Sequence, residues 1–448
     1  MKSPRPVRST VLQASIALGT TFLTISAASA ACDMKVLSAS PVNSSGKAYN
    51  PKFGETYYLK VVWQVTGTPK TPYSILFQLA GKKYKWTGVA AGQGSGYTGV
   101  AGFSLQLDGA IPYTITLDPD HVSGDTKSAN NIFKGNLTPT PPAKALEYFS
   151  PQVHTGTETC TVPWNIGGTV TDGYTVMGKP VTGTFQVVNL ATGPSGSLSV
   201  TTTPTADPVW QTPRNSYTPS GASPQWTDTT NFKVTVSNAR TNIAKLRAVT
   251  WAKETAFPAA ILPFTKPDAW VQSMDPAITA YVKTILPANY KTTLTPYDAA
   301  KKIYMAVVKR TVYETPAIQD AKTTLGIKKG DCGSFTNLCS ACFRSIGIPS
   351  RSITGFWMGT DQWHVKGEFY LQGIGWIPFD PSESRLFDTS GTYPYFFGSD
   401  STLNQFCAVG RGEDHRIGTD ATTTSQVGWL VYSGTAVNGS YGTTANLK

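Results

Sequence analysis

"KKGDCGSFTNLCSACFRSIGIPSRSITG" at residues 328–355, with "WHVKGEFYLQGIGWIPFDPS" at 363–382, decides how this chain is read. The spacing predicts a helix from Cys332 to Ile346, because Phe335, Leu338, Cys339, Cys342 and Ile346 recur on one apolar stripe and Gly347 with Pro349 stops it. The three cysteines invite three chemistries: metal binding, disulfide bonding or nucleophilic attack. A zinc site needs four ligands, whereas the single C-x-x-C of Cys339 and Cys342 has no second pair and lies on the packing stripe, so neither a metal nor a cofactor is called for. A redox pair would open a helix, and this one is mid-helix. Cys332 differs. It stands in the first turn, behind Gly330 and Asp331, where unsatisfied backbone N–H groups and the positive end of the helix dipole stabilise a thiolate.

A thiolate nucleophile needs a base. The chain has four histidines. His121 and His154 lie far upstream, and His415, in the polar "GRGEDHRI", reads as a surface residue. His364 remains. Around it Val365, Phe369, Leu371, Ile377 and Phe379 occupy odd positions, while His364, Lys366, Glu368 and Asp380 occupy even ones. Two strands burying one face would therefore turn His364 and Asp380 to the same opposite face. A turn at Gly373, Ile374 and Gly375 would set Asp380 opposite Glu368, roughly 13 Å from His364. A loop at Leu371, Gln372 and Gly373 would make His364 and Asp380 direct cross-strand neighbours, and this is the expected register. The roles then follow: Cys332 as nucleophile, His364 as base and later acid, Asp380 orienting the imidazole and stabilising its cation. Each residue alone has a plainer reading, as a buried thiol, a strand histidine and a strand-ending turn residue; spacing, facing and register raise the set together.

The three blocks "GDCGSFTNLCSACFRSIGIPSRSITGF", His364 with Glu368 four later, and "GWIPFDPS" resemble the core of the transglutaminase-like superfamily, with its cysteine, histidine and aspartate in that order. "YFFGSDSTLNQFCAVGRGEDHRI" resembles the segment that often follows this core in bacterial members. The resemblance implies an α+β domain, a cysteine helix on an antiparallel sheet, and acyl chemistry at amide bonds of a protein or peptide substrate without a metal or cofactor. It implies hydrolysis by a cysteine peptidase more often than glutamine-directed crosslinking. One departure stands out: the position two after the histidine, often Trp in this family, is Lys366.

Upstream, the chain changes character. Lys2, Arg5 and Arg8 precede an apolar run that ends in Ala28, Ser29 and Ala30, the pattern of a secretory signal peptide over residues 1–30. Ser29 disfavours the rival cut before Cys32 that would allow lipid attachment. Without those three basic residues the net charge falls from +11 to +8, spread over more than four hundred residues. No basic run interleaved with aromatics supports nucleic-acid binding, and no later segment approaches the roughly 20 apolar residues of a membrane span. The product is expected to be exported, periplasmic or secreted.

Residues 31–138 read as an immunoglobulin-like β-sandwich. In "TYYLKVVWQV" the residues Tyr57, Leu59, Val61, Trp63 and Val65 alternate with more polar ones, and further strands follow at "SILFQL", "GFSLQL" and "YTITLD". The closing "YTITLDPDHVSGDTKSANN" resembles that of bacterial cell-adhesion-related sandwich domains. A Pro-rich linker is expected over 139–160, a second β-rich module over 161–262, and the transglutaminase-like catalytic domain over 263–448. Cys32 and Cys160 would form the most economical disulfide in an exported chain. Cys407 is a further candidate to bridge Cys339 or Cys342. The chain is thus expected to be multidomain, all-β sandwich modules followed by an α+β domain. The modules are candidates for contact with cell-envelope components, and the alternative to an enzyme is a catalytically idle envelope adhesion or scaffold protein.

Overall fold

The structure, a computed structural model, describes residues 31–90, 93–163, 170–176, 180, 182–191, 195–196, 201–204, 213–217, 225–314, 320–360, 362–413, 415–416, 423–424, 429–434 and 442–447. The signal segment at 1–30 lies outside them. The chain divides into two compact units, Met1–Pro142 and Ala143–Lys448.

Alternation builds the first unit. Tyr57, Leu59, Val61, Trp63 and Val65 are all buried along Tyr57–Thr66, the middle strand between Asp33–Val42 and Gly94–Phe103. A second antiparallel sheet runs Lys82–Val89, Tyr73–Leu79, Ile111–Leu117 and Ile132–Leu137. The Trp63 indole N–H donates to the Tyr73 hydroxyl at 2.8 Å, which satisfies a buried donor between strands of the two sheets. This is the expected sandwich.

The expected disulfide does not form. Cys32 is a free, buried thiol turned toward Ser123 inside the first unit, and burial pushes its acidity down. Cys160 belongs to the second unit, mid-strand between backbone partners Asp228 and Thr443, and its side chain lies outside the described residues.

In the second unit the β-rich part is built on two long antiparallel strands, Leu146–Pro163 and Gln225–Thr241. The first starts inside the stretch read as linker. The prolines of that stretch, at 139, 141 and 142, lie before the strand, and its own Pro151 does not end it: the pairing skips Ser150 and Pro151 in a bulge, with Ser150 in the left-handed region at φ 47°. A second revision concerns the far end of the chain. Trp429–Gly434 pairs with Val170–Val176, and Gly442–Leu447 pairs with Leu146–Pro163, so these strands complete the β-rich part rather than the α+β region expected over 263–448.

Between them lies the α+β part. Helix α1 spans Pro276–Ile285, with Asp275 accepting from the Ala277 N–H at 2.8 Å; α2 spans Pro296–Arg310, capped by Thr295. Both begin with proline at the first turn, where its missing N–H costs nothing. Helices α3, Ala321–Ile327, and α4, Cys332–Ser345, follow. An antiparallel sheet then forms from β1, Ser350–Trp357, β2, Trp363–Leu371, and β3, Gly375–Phe379; α5, Pro381–Phe387, and β4, Phe406–Arg411, complete it in the order β3-β2-β1-β4.

The odd residues of β2 and β3 face the core as their alternation demands. Phe369, Leu371, Ile377 and Phe379 join Phe335, Leu338, Cys339, Cys342, Phe343 and the inner face of α2 in one apolar cluster. Phe343 of α4 meets the rings of Phe369 at 5.7 Å and Phe379 at 5.3 Å. Each such side chain stabilises the fold by about 1.5–3 kcal/mol. Gly367 is required here, because a Cβ would stand 2.1 Å from the Phe379 ring.

Helix α4 is more buried than a one-stripe reading implies: every residue from Cys332 to Arg344 is buried. Its polar face is satisfied internally. Ser340 pairs with Ser350 at 2.9 Å, Thr336 donates to the Cys332 carbonyl at 2.9 Å, and Arg344 donates to the Ser350 carbonyl and pairs with Asp268 and Glu413. A helix enclosed on all sides is a rigid support for its first residue.

Candidate functional site

Two local devices present Cys332. Asp331 caps α4, its carboxylate accepting from the Ser334 N–H at 3.0 Å and the Ser334 hydroxyl at 2.9 Å. Gly330 leaves room for Ser334, whose Cβ would otherwise lie 2.3 Å from a side chain at that position. The cap takes donors further into the turn. The Cys332 N–H, first in the helix, has no intrahelical acceptor by construction.

His364 comes from β2, where it pairs with Gly355 of β1. A Cβ at 355 would stand 2.0 Å from the Cys407 carbonyl oxygen, so glycine lets β4 close against β1 beside the imidazole. The His364 ring lies over Trp357, centroids 5.3 Å apart, and edge-on to Phe406 at 6.1 Å.

Asp380 follows β3 and divides its carboxylate between two tasks. Oδ1 caps α5, accepting from the Glu383 N–H at 3.0 Å and the Ser382 hydroxyl at 2.9 Å. Oδ2 receives His364 Nε2 at 2.7 Å and the Lys366 ammonium at 3.0 Å. Tyr304 of α2 fixes the backbone there, donating to the Asp380 carbonyl at 2.7 Å. One oxygen of Asp380 thus caps the helix that follows the strand and the other meets the imidazole.

The register is neither of the two weighed from the sequence. Leu371 pairs with Gly375 and Gly367 with Phe379, which centres the turn on Gly373 rather than Gln372. Gly373 has φ 80° and Gly375 φ 113°, both in the region that favours glycine, so the chain turns where two glycines permit it. One step beyond the ladder, Asp380 stands opposite Lys366. His364 reaches it diagonally, because Asp380 has left the strand and turned into its helix-capping position.

The imidazole bonds Asp380 through Nε2, and the Cys332 side chain interacts with the same ring. Burial by itself would favour the neutral ring, but the Asp380 carboxylate and its hydrogen bond, with the Cys332 sulfur, raise the His364 pKa from 6.5 to about 10. Burial likewise opposes ionisation of Asp380, and Lys366 and His364 overcome it, holding the carboxyl well below its usual range. Lys366 resists its own burial through Asp400 and Asp380 and stays cationic. Glu383, half-buried at the start of α5, is shifted up by burial and then by the Asp380 charge.

The structure thus brings together Cys332, His364 and Asp380. Glu368 is not among them: it is fully buried and bound to Arg351 at 2.8 Å, to Arg411 at 3.3 Å and to the Thr184 hydroxyl. Cys339 and Cys342 are free, buried thiols inside the α4 core face, pushed to high pKa by burial, and no bridge joins them to Cys407. His154 bonds the Asn404 carbonyl at 2.8 Å, remote in role from this cluster, and the His415 side chain lies outside the described residues. Sequence reasoning missed Asp400 and Trp357. Their signal was Lys366 itself, a cation on a sheet face that must find an anion once that face is covered.

This cluster, on a helix packed against an antiparallel sheet, defines the domain: residues 286–381 match the family model "Transglutaminase-like superfamily" and form a transglutaminase-like domain. The chain is also similar to an uncharacterized protein of Haemophilus influenzae, at 28% identity over 17% of this chain; the chain spans 30% of that relative's length. Among solved structures it is similar to a "Putative Cysteine Protease" from Cytophaga hutchinsonii, with TM-score 0.48 and 14% identity, covering 67% of this chain and 92% of that one. The periplasmic domain of TgpA from Pseudomonas aeruginosa is similar over 57% of this chain and 100% of its own, with TM-score 0.27 and 10% identity. The CARDB domain of the PF1109 protein from Pyrococcus furiosus matches 24% of this chain and 92% of its own, with TM-score 0.19 and 13% identity. Among the described residues no helix is long and apolar enough to cross a membrane.

Proposed function

We propose that the chain is an exported cysteine enzyme that hydrolyses amide bonds of proteins or peptides through Cys332, His364 and Asp380. The observation that carries this reading is the continuous hydrogen-bonded line from thiol to imidazole to carboxylate, which favours the imidazolium.

The chemistry follows from those protonation states. A thiolate at the start of α4, beside an imidazolium, attacks the amide carbonyl carbon, and the carbonyl oxygen becomes an oxyanion for which the Cys332 N–H is the first donor. His364 then gives its proton to the leaving amine as the C–N bond breaks, leaving a thioester on Cys332. Now neutral, the imidazole takes a proton from water; the hydroxide adds to the thioester carbonyl and the thiolate leaves. Asp380 stays ionised throughout and fixes which ring nitrogen faces the sulfur.

An amine in place of water at the second step would make the same site a protein-crosslinking acyltransferase. Incubation with casein and a labelled primary amine separates the outcomes: fragments without incorporation support the peptidase, incorporation supports the transferase, and neither product from a folded protein with an alkylatable Cys332 supports the idle scaffold.

A further inference from the structure

Lys366 is the largest unexplained element of the site. A lysine is seldom buried, yet this one is 1% exposed and spends its donors inward, 3.0 Å from Asp380 Oδ2 and 2.9 Å from Asp400 Oδ2. Trp357 lies 4.7 Å below the ammonium, with Phe406 at 5.7 Å and Phe396 at 5.8 Å. Trp357 also stacks under His364, so one indole floors two cationic groups that share one carboxylate oxygen.

Asp400 is held as firmly. Its Oδ1 accepts from the Thr402 N–H and hydroxyl, both at 2.7 Å, and its backbone pairs both ways with Ala239 on the long strand Gln225–Thr241. A line of contacts therefore runs from the β-rich part through Asp400 and Lys366 to Asp380 and His364.

We propose that Lys366 is a positioning residue for the imidazole: by holding Asp380 Oδ2 and competing with His364 for it, the ammonium keeps the imidazolium from being bound too tightly to release its proton. This rests on the catalytic reading above. Two opposing demands make the device useful. Asp380 must stay ionised in a buried site, which a second cation secures, and His364 must still surrender its proton to the leaving amine, which a carboxylate serving it alone would hinder. Without Lys366 the Asp380 charge would act on His364 undivided. Other titratable groups facing the pair are Cys332 of α4, Glu383 of α5, Asp400, Tyr304 of α2 and Tyr313 of the short strand before α3. None of them replaces the ammonium, because all are acids.

The test follows the His364 imidazole by NMR titration, assigned through His364→Gln, together with the pH profile of iodoacetamide alkylation at Cys332. Neither readout depends on whether water or an amine accepts the acyl group. In Lys366→Met the imidazolium should titrate about one pH unit or more above wild type, since a charge within a few ångströms has been removed. Lys366→Met with Asp400→Asn removes the ammonium together with its second anion, and carries the test if the single variant does not fold; it should shift in the same direction by less. Lys366→Arg, which keeps a cation, should restore most of the wild-type profile. Folded variants whose imidazole titrates as in wild type overturn the proposal while leaving the catalytic reading intact. A wild-type Cys332 whose alkylation is slow at neutral pH and indifferent to His364→Gln overturns both.

Discussion

One helix carries thiols with opposite surroundings. Cys332 opens α4 beside the His364 ring, whereas Cys339 and Cys342, two and three turns further on, are enclosed by the aromatic core of α2, β2 and β3. One end of the helix has free N–H groups, an aspartate cap and the His364 ring of β2 beside it, whereas the face that carries Cys339 and Cys342 meets apolar side chains. Position along a helix, rather than residue type, sets the surroundings that tune a thiol's reactivity.

The comparison breaks most decisively on activity. Cys332→Ala should lower amide hydrolysis by at least about 10³-fold with little change in melting temperature, while Cys339→Ala leaves the rate within a few-fold of wild type. A Cys339 variant equally inactive yet folded would erase the distinction. On stability the ranking inverts. Phe343→Ala, which empties the space against Phe369 and Phe379, should cost about 3–5 kcal/mol in urea denaturation, whereas Cys332→Ala stays near zero.

A pH series sharpens the contrast further. His364 has a folded pKa raised from 6.5 to about 10, so its contribution is fully present below about pH 6.5 and is lost as pH rises through 10. Denaturation of wild type should therefore show stability falling across that window, with a flatter curve in His364→Gln; parallel curves would deny the His364–Asp380 coupling. The smallest effect expected is at Cys342→Ala, on the order of 1–2 kcal/mol for lost core volume, with unchanged alkylation of Cys332.

Much of this site was legible because two periodicities carry it. The helical stripe from Phe335 to Ile346 and the strict odd–even division of 363–380 place Cys332 at a helix start and turn His364 and Asp380 to one face. What periodicity does not fix is register. Every even register keeps the same faces, so the glycines at 373 and 375, through their left-handed backbone, made a choice invisible to the hydrophobic pattern. That choice set Asp380 against Lys366. The β-rich part was harder to read. The Pro-rich stretch ends before Leu146, where a long strand begins that carries Pro151 in a bulge, and the pairing of strands near 146–176 with strands near 429–447 joins segments with no local signal for each other. The Cys32 to Cys160 pairing was an inference from compartment alone, and burial beside Ser123 placed Cys32 elsewhere.

That long-range pairing has a kinetic consequence. The sheet begun at Leu146 gains its outer strand only from Gly442–Leu447, roughly three hundred residues later, and the whole transglutaminase-like domain lies in the intervening loop of chain. Contacts of such sequence separation incur their loop-closure entropy before any contact energy returns, so the long sheet of the second unit should close slowly and late, after the domain inserted in it. Until that strand arrives, the edge of Leu146–Pro163 stays open to pairing with other chains, which makes the ordering of synthesis and closure a determinant of yield.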